Sequence, residues 1–261
     1  MQFQCHYELD QRPDRELVNL YQEFYRFIRT AIGDTSNVRL DADGFPDGVH
    51  YFLLYAAALI HGAADAALTL TLHNLGREAR IIGRQVFEYW IRAGFYANNP
   101  AEAKALLLST PFAEREILDE LGYDKTLDRY KELDKDSNEI LSRFPKFKVH
   151  REPKLRRLVG DKHDPVATKF YAFLYRIPSQ TIHAAGGGIG SVMREEGVAF
   201  DSREVNPNIG LHIEAWIVLQ FLTLINDKLN LGVDGKLAEL TARLEAIRTR
   251  LGDEFGSSFS S

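Results

Sequence analysis

The sequence contains little cysteine and no long uninterrupted apolar run. Cys5 is the only cysteine in 261 residues, which excludes an intrachain disulfide and a zinc site made of several cysteines. The first residues carry neither a basic start nor an apolar stretch, so they do not match a secretory signal. Both features lead us to expect a cytoplasmic protein.

Membrane insertion and bulk attraction to nucleic acid are not expected either. The longest apolar run, residues 51–60, is shorter than the roughly 20 residues of a membrane span, and His61 and Asp65 follow it. We therefore interpret residues 49–73 as a core helix and expect no membrane partner. The formal net charge is −5, so nucleic-acid binding would have to depend on a local basic patch.

Apolar residues recur at the spacing of amphipathic helices along most of the chain. About eight helices and almost no strand predict an all-α, multi-helix bundle, with one small β-hairpin in residues 191–200. Thr110 can cap a helix and Pro111 suits its first position, so we expect separate helices at 101–108 and 110–121. We predict a single domain over residues 1–261, with flexible ends at 1–14 and 255–261.

Two neighbouring segments differ from this apolar helical background. Residues 124–144 are strongly charged with few apolar positions, which indicates an exposed helix that docks a protein partner. Residues 145–165 are predicted to be a basic loop insertion. Their cations, opposed within residues 145–158 by Glu152 alone, are Lys146, Lys148, Arg151, Lys154, Arg156 and Arg157.

Aromatic and histidine side chains lie between these cations, at Phe144, Phe147 and His150. Basic and aromatic residues in a mobile segment suit single-stranded nucleic acid, through phosphate contacts and base stacking. The six cations are therefore candidate RNA-binding residues. The alternative is a solvated loop that balances the acidic helix before it.

A stripe of charged residues follows the helix at residues 77–98. Arg80, Arg84, Glu88 and Arg92 fall at steps of four on an otherwise apolar stretch. If the stripe faced a cleft, its arginines would converge where an anion or a histidine could sit. The alternative is a solvated face whose charges pair with each other.

A second polar cluster lies at residues 175–183. On a straight helix Arg176, Ser179 and His183 would share one face, and Pro178 predicts a kink between them. An arginine can hold a phosphate while a histidine moves a proton, with the ribose 2′-OH as nucleophile and no metal ion. The alternative is a histidine tied to buried Glu88 or to a tyrosine, which would fix helix packing.

We predict no metal ion and no cofactor. His61 with Asp65 and His212 with Glu214 do not give the two Glu-x-x-His pairs of a di-metal helical bundle. The glycine-rich residues 186–190 lack the Lys-Ser/Thr and the preceding strand of a phosphate-binding loop.

The run Gly83-Arg84-Gln85-Val86-Phe87-Glu88, with the later Tyr175-Arg176-x-x-Ser179-x-x-x-His183, resembles a bacterial all-helical family of unknown function. More distantly, Arg176-x6-His183 is similar to the Arg-x4–6-His signature of HEPN-type ribonucleases. That resemblance implies a homodimer with the two motifs facing each other in a shared cleft. Arg176, Ser179 and His183 would be catalytic, supported by Arg80, Arg84, Glu88 and Tyr175.

The resulting hypothesis is a metal-independent, RNA-cleaving protein or toxin of stress response or phage defence. One alternative is a non-enzymatic interaction module, in which the arginine, glutamate and histidine residues form a structural network. Another is a sensor that binds an anionic nucleotide with the arginine stripe.

Overall fold

The computed structural model describes residues 12–33, 39–159, 171–172, 175, 193–194, 197–198 and 207–252. Within them the chain forms eight helices and one two-stranded hairpin, which confirms the predicted all-α fold. The elements are α1 (Arg15–Gly33), α2 (Gly48–Leu72), α3 (Gly76–Asn98), α4 (Pro100–Glu120), α5 (Asp128–Arg143), α6 (Leu155–Leu158), β1 (Met193–Arg194), β2 (Gly197–Val198), α7 (Pro207–Leu229) and α8 (Asp234–Arg250).

Helix α7 lies at the centre of the bundle. It contacts α1, α2, α3 and α8, and most of its side chains are buried, including Phe221 and Ile217. A helix covered on all sides needs apolar residues around its whole circumference, which explains why α7 lacks a clear polar face.

Helices α2 and α3 form the most extensive pair in the bundle. The turn between them contains Asn74, whose φ of 63° is a left-handed conformation that asparagine tolerates. One side of α2 packs on the core, while the other leaves Tyr51 and Tyr55 exposed.

Helices α2 and α7 are long and apolar enough, by length and composition, to cross a membrane. Of their most apolar windows, 44% and 72% respectively is buried within the fold. Core helices of soluble proteins pass the same test, and the burial of α7 fits that explanation.

The predicted break before residue 110 is wrong, because α4 continues as one helix with Pro111 inside it. Two hydroxyl side chains just before the proline bond back to the preceding turn. Ser109 Oγ donates to the Ala105 carbonyl at 2.8 Å, and Thr110 Oγ1 to the Leu106 carbonyl at 3.5 Å. Thr110 therefore bonds backward along a continuous helix instead of capping a new one.

Helix α5 is more closely integrated than a projecting arm. It packs along α4 and buries Tyr130, Leu133 and Ile140 on one face, while its charged residues face outward. This is an amphipathic surface helix, and its partner-docking role stays a prediction.

The two ends of the described chain meet. Asp14 caps α1 by accepting hydrogen bonds from the backbone N–H groups of Glu16 and Leu17 at 3.0 Å each. Its carboxylate also pairs with Arg250 at 2.7 and 2.8 Å. Asp14 lies at the edge of the predicted flexible N-terminus and is thus held in place. The predicted hairpin is present, with Met193 opposite Val198 and Arg194 opposite Gly197.

Candidate functional site

The charged stripe on α3 forms a chain of ion pairs. Arg84 Nη2 lies 3.9 Å from Glu88 Oε2, and Arg92 Nη2 lies 3.0 Å from Glu88 Oε1. Arg92 also pairs with Glu152, which lies in the basic segment of residues 145–158. Burial opposes the charge of Arg92, but Glu152 and Glu88 outweigh it and raise the pKa of Arg92. Two arginines and two carboxylates thus balance, so this part of the stripe is not an open cluster of positive charge.

Arg84 also connects the stripe to the second polar cluster. Its guanidinium lies 4.5 Å from the centre of the Tyr175 ring, which itself stacks on Tyr171 at 5.2 Å. The Arg84 Nε atom is buried, and no hydrogen-bond partner for it occurs in the described part of the chain. Arg80, one turn away, is exposed.

The predicted catalytic residues Arg176, Ser179 and His183 lie outside the described residues. Tyr175, which contacts Arg84, directly precedes Arg176 in the sequence. The catalytic role of Arg176, Ser179 and His183 stays a prediction.

A buried carboxylate lies where α3 crosses α7. Glu214 is 6% exposed, and its Oε2 accepts a hydrogen bond from the Tyr21 hydroxyl at 2.9 Å. A Cβ atom on Gly83 would lie 2.6 Å from Glu214 Cδ and closer still to Oε1. The absence of a side chain at Gly83, directly before Arg84, is what lets the carboxylate fit against α3.

This carboxylate contributes to the raised pKa of two tyrosines on α1. Burial, and then the charge of Glu214, raise the pKa of Tyr21 well above its usual value. Burial is also the main cause of the raised pKa of Tyr25, followed by Asp65 and Glu214. The Tyr25 hydroxyl is buried and has no hydrogen-bond partner among the residues described. Both tyrosines are therefore held in the neutral form.

The sequence did not reveal this arrangement. In the sequence, Tyr21 fits the apolar periodicity of an amphipathic helix, and Glu214 stands only beside His212, a pair that does not match a di-metal motif. The available signal was an isolated carboxylate in the apolar stretch 209–225. In the described part of the chain, no group of three or more His, Cys, Asp or Glu side chains could hold a metal ion.

The basic segment, residues 145–158, presents its cations to solvent. Lys146, Lys148, Arg151, Lys154, Arg156 and Arg157 are all exposed. Across the described ranges, none of the six forms an ion pair or a hydrogen bond through its side chain. On α3, by contrast, Arg84 and Arg92 are paired with carboxylates. The six positive charges of the basic segment therefore remain available to an anionic ligand.

Other residues fix the segment to the bundle. His150 is nearly buried, with Nε2 3.2 Å from the Tyr96 hydroxyl and Nδ1 3.1 Å from Glu102. Its backbone N–H donates to Ser109 Oγ at 2.6 Å. Burial, and then the charge of Glu152, raise the pKa of Tyr96 to about 12. These contacts attach the basic segment to the bundle as a strip. Residues 145–154 form neither helix nor strand, and the mobility of the segment stays a prediction.

The aromatic residues at the start of the segment contact other rings of the bundle. The ring centres of Phe144 and Phe45 are 5.7 Å apart, as are those of Phe147 and Phe112. His150 is unavailable for stacking because its ring is buried. Phe144 and Phe147 are half-buried, and their stacking on bases stays a prediction.

The basic segment adjoins the α3 stripe. Glu152 pairs with Arg92, and α6 packs against α3. Arg84 lies eight residues before Arg92, which is about 12 Å along a helix axis. Helix α3 therefore contacts both the basic segment, through Arg92, and Tyr175, through Arg84.

The family model of a family of unknown function, DUF5677, matches residues 50–200. The chain belongs to this family. The match covers α2 to α6, the basic segment and the predicted cluster at 175–183, whereas Tyr21 and Glu214 lie outside it. Searches of curated proteins and of solved structures returned no match. Membership confirms the predicted family of unknown function, and the resemblance to HEPN-type ribonucleases stays a prediction.

Proposed function

We propose that this member of the family binds RNA through its basic segment and cleaves it without a metal ion. The observation that carries the binding part is the set of six exposed cations of residues 145–158 that form no ion pair in the described structure. Surface lysines and arginines are normally offset by nearby carboxylates, and Glu152, the only acidic residue within the segment, is already engaged by Arg92.

Phosphate groups suit this surface better than a single anionic metabolite would. The cations are distributed along the chain instead of converging on one point, so a ligand with repeated negative charges can contact several of them. The chain as a whole has a net charge of −5, so attraction of an anionic ligand is confined to this strip.

The cleavage part of the proposal rests on Arg176, Ser179 and His183. Arg176 would hold the scissile phosphate, and His183 would take the proton of the ribose 2′-OH as its oxygen attacks phosphorus. The bond to the 5′-oxygen then breaks, and that oxygen receives a proton. Support comes from Tyr175, which directly precedes Arg176 in the sequence and whose ring centre lies 4.5 Å from the Arg84 guanidinium. Glu88 and Arg80 lie along the same stripe as Arg84.

Binding is tested with a variant that loses part of the strip. Its glutamine substitutions are at Lys148, Arg151 and Lys154. The control variant removes the same charge from the exposed side of α1, with glutamine at Arg15, Arg26 and Arg29.

Affinity for single-stranded RNA is measured against salt concentration by fluorescence anisotropy. Each phosphate contact contributes about 0.7 to the slope of log K against log salt for single strands. The test variant should lower that slope by about 2, and the control should leave it unchanged. Equal slopes for all three proteins would remove the basis of the proposal.

Cleavage is tested by incubating wild-type protein and the His183→Ala variant with RNA and a chelator, followed by a denaturing gel. Cleavage by the wild type alone supports the proposed reaction. Cleavage by both proteins would show that His183 has no catalytic role.

A second candidate function is a non-enzymatic interaction or nucleotide-sensing module. The observation in its favour is the charge balance of Arg84, Glu88, Arg92 and Glu152, which is typical of a structural network. In that case His183→Ala should lower stability without changing any activity. A thermal-shift series with nucleotides would show a raised melting temperature for a ligand of the folded state.

A further inference from the structure

A groove of about 660 Å³ lies between α4 and the turn that follows α5. Its lining includes the small side chains of Ala101 and Ala105, one helical turn apart on α4. Phe144 and Phe147, which follow α5, also line it. The volume is within the range of about 300–1,000 Å³ of sites that bind small organic groups.

The polar side chains of this groove are cationic. Lys104, Arg143 and Lys146 line it, and no carboxylate does so in the described part of the chain. Lys104 pairs with Asp41 and Asp43, and Arg143 pairs with Glu139; these carboxylates do not line the groove. Of the three cations, Lys146 alone forms no ion pair in the described part of the chain. Lys146 is the first cation of the basic segment, so the groove opens directly onto the proposed phosphate-binding strip.

From this continuity and charge we infer that the groove binds one unstacked base of a single-stranded RNA whose backbone lies on the basic segment. The inference rests on the proposed RNA binding and specifies its substrate. A base has an apolar face that suits the two phenylalanine rings, and its own phosphate remains close to Lys146. Bases in a duplex are paired and stacked, so they cannot enter the groove.

The test fills the groove without disturbing the cations. The double variant Ala101→Leu/Ala105→Leu places aliphatic groups in the space between α4 and the phenylalanines. Its control is Ala58→Leu/Ala66→Leu on α2, which matches it in having one exposed and one half-buried alanine. Thermal unfolding of both variants establishes that they are folded.

Binding is measured with three probes: a short 2′-O-methyl oligouridylate, the same strand with abasic positions, and a 2′-O-methyl duplex. The 2′-O-methyl groups prevent cleavage through the 2′-oxygen. Loss of one stacked base weakens binding about five-fold to 150-fold. We expect that loss on filling the groove, and a similar loss when the wild type meets the abasic strand. The filled variant should not distinguish the two single strands, and its salt dependence should equal that of the wild type.

The inference is overturned if the wild type binds the abasic strand or the duplex as tightly as the oligouridylate. It is also overturned if the filled variant binds like the α2 control. These outcomes leave RNA binding by the basic segment intact. If the wild type binds none of the three probes, the proposed function fails and this inference with it.

Discussion

Replacing Gly83 by alanine tests the close crossing of α3 and α7. The new Cβ would lie 2.6 Å from Glu214 Cδ, inside any normal contact distance. Either the carboxylate moves and its 2.9 Å hydrogen bond from Tyr21 is lost, or α3 moves away from α7. Both responses lower the free energy of unfolding, because the site is buried and closely packed.

The magnitude follows from three contributions. Overpacking a core costs about 1–3 kcal/mol, and loss of a hydrogen bond to a charged group costs about 1.5–3 kcal/mol. Alanine in place of glycine stabilises a helix interior by about 1 kcal/mol. When the carboxylate and α3 both shift, we therefore expect Gly83→Ala to lower the unfolding free energy by about 1.5–5 kcal/mol.

Gly94 provides the matched control on the same helix. A Cβ there meets no atom within 4 Å, so Gly94→Ala should raise stability by up to about 1 kcal/mol. Urea unfolding followed by circular dichroism measures both variants. In a Glu214→Ala background, Gly83→Ala should cost little, because the group it collides with is gone. Similar effects of the two glycine substitutions, or a Gly83 effect independent of Glu214, would refute the reasoning.

Three further predictions concern pH, capping and the anchoring of the basic segment. Burial lowers the pKa of His212 below its ordinary value of 6.5. As the pH falls below 6.5, the unfolded chain therefore binds a proton more readily than the folded protein, and the free energy of unfolding decreases. His212→Gln should reduce this decrease, as measured by urea unfolding at several pH values. Asp14→Ala removes a helix cap and the ion pair with Arg250, and should lower the free energy of unfolding by about 1–2 kcal/mol. An unchanged melting temperature would contradict the capping role. Arg92→Met removes the partner of Glu152, so trypsin should cleave within residues 146–157 faster than in the wild type, and equal rates would show that this ion pair does not hold the segment.

The fold class could be read from the sequence because helix formation depends on local periodicity. The apolar stripes of α1 and α8 define both helices and the faces they bury. The predicted helix boundary at Thr110 and Pro111 is wrong because tertiary contacts outweigh the local sequence preference there. Pro111 and Thr110 indicate a helix start, yet hydrogen bonds to earlier carbonyls and packing against α5 carry α4 through that point.

Some features of the candidate site follow from the sequence, and others depend on the tertiary structure. The sequence alone determined that the segment 145–158 is basic and that Arg84, Glu88 and Arg92 share a helix face, because both depend only on composition and spacing. Tertiary structure alone decided that Arg92 pairs with Glu152, 60 residues away. It also decided that Tyr21 binds Glu214 across 193 residues, against Gly83. Periodicity specifies which face of a helix is buried, but the crossing of two helices determines which polar groups meet there, and that depends on packing over the whole core.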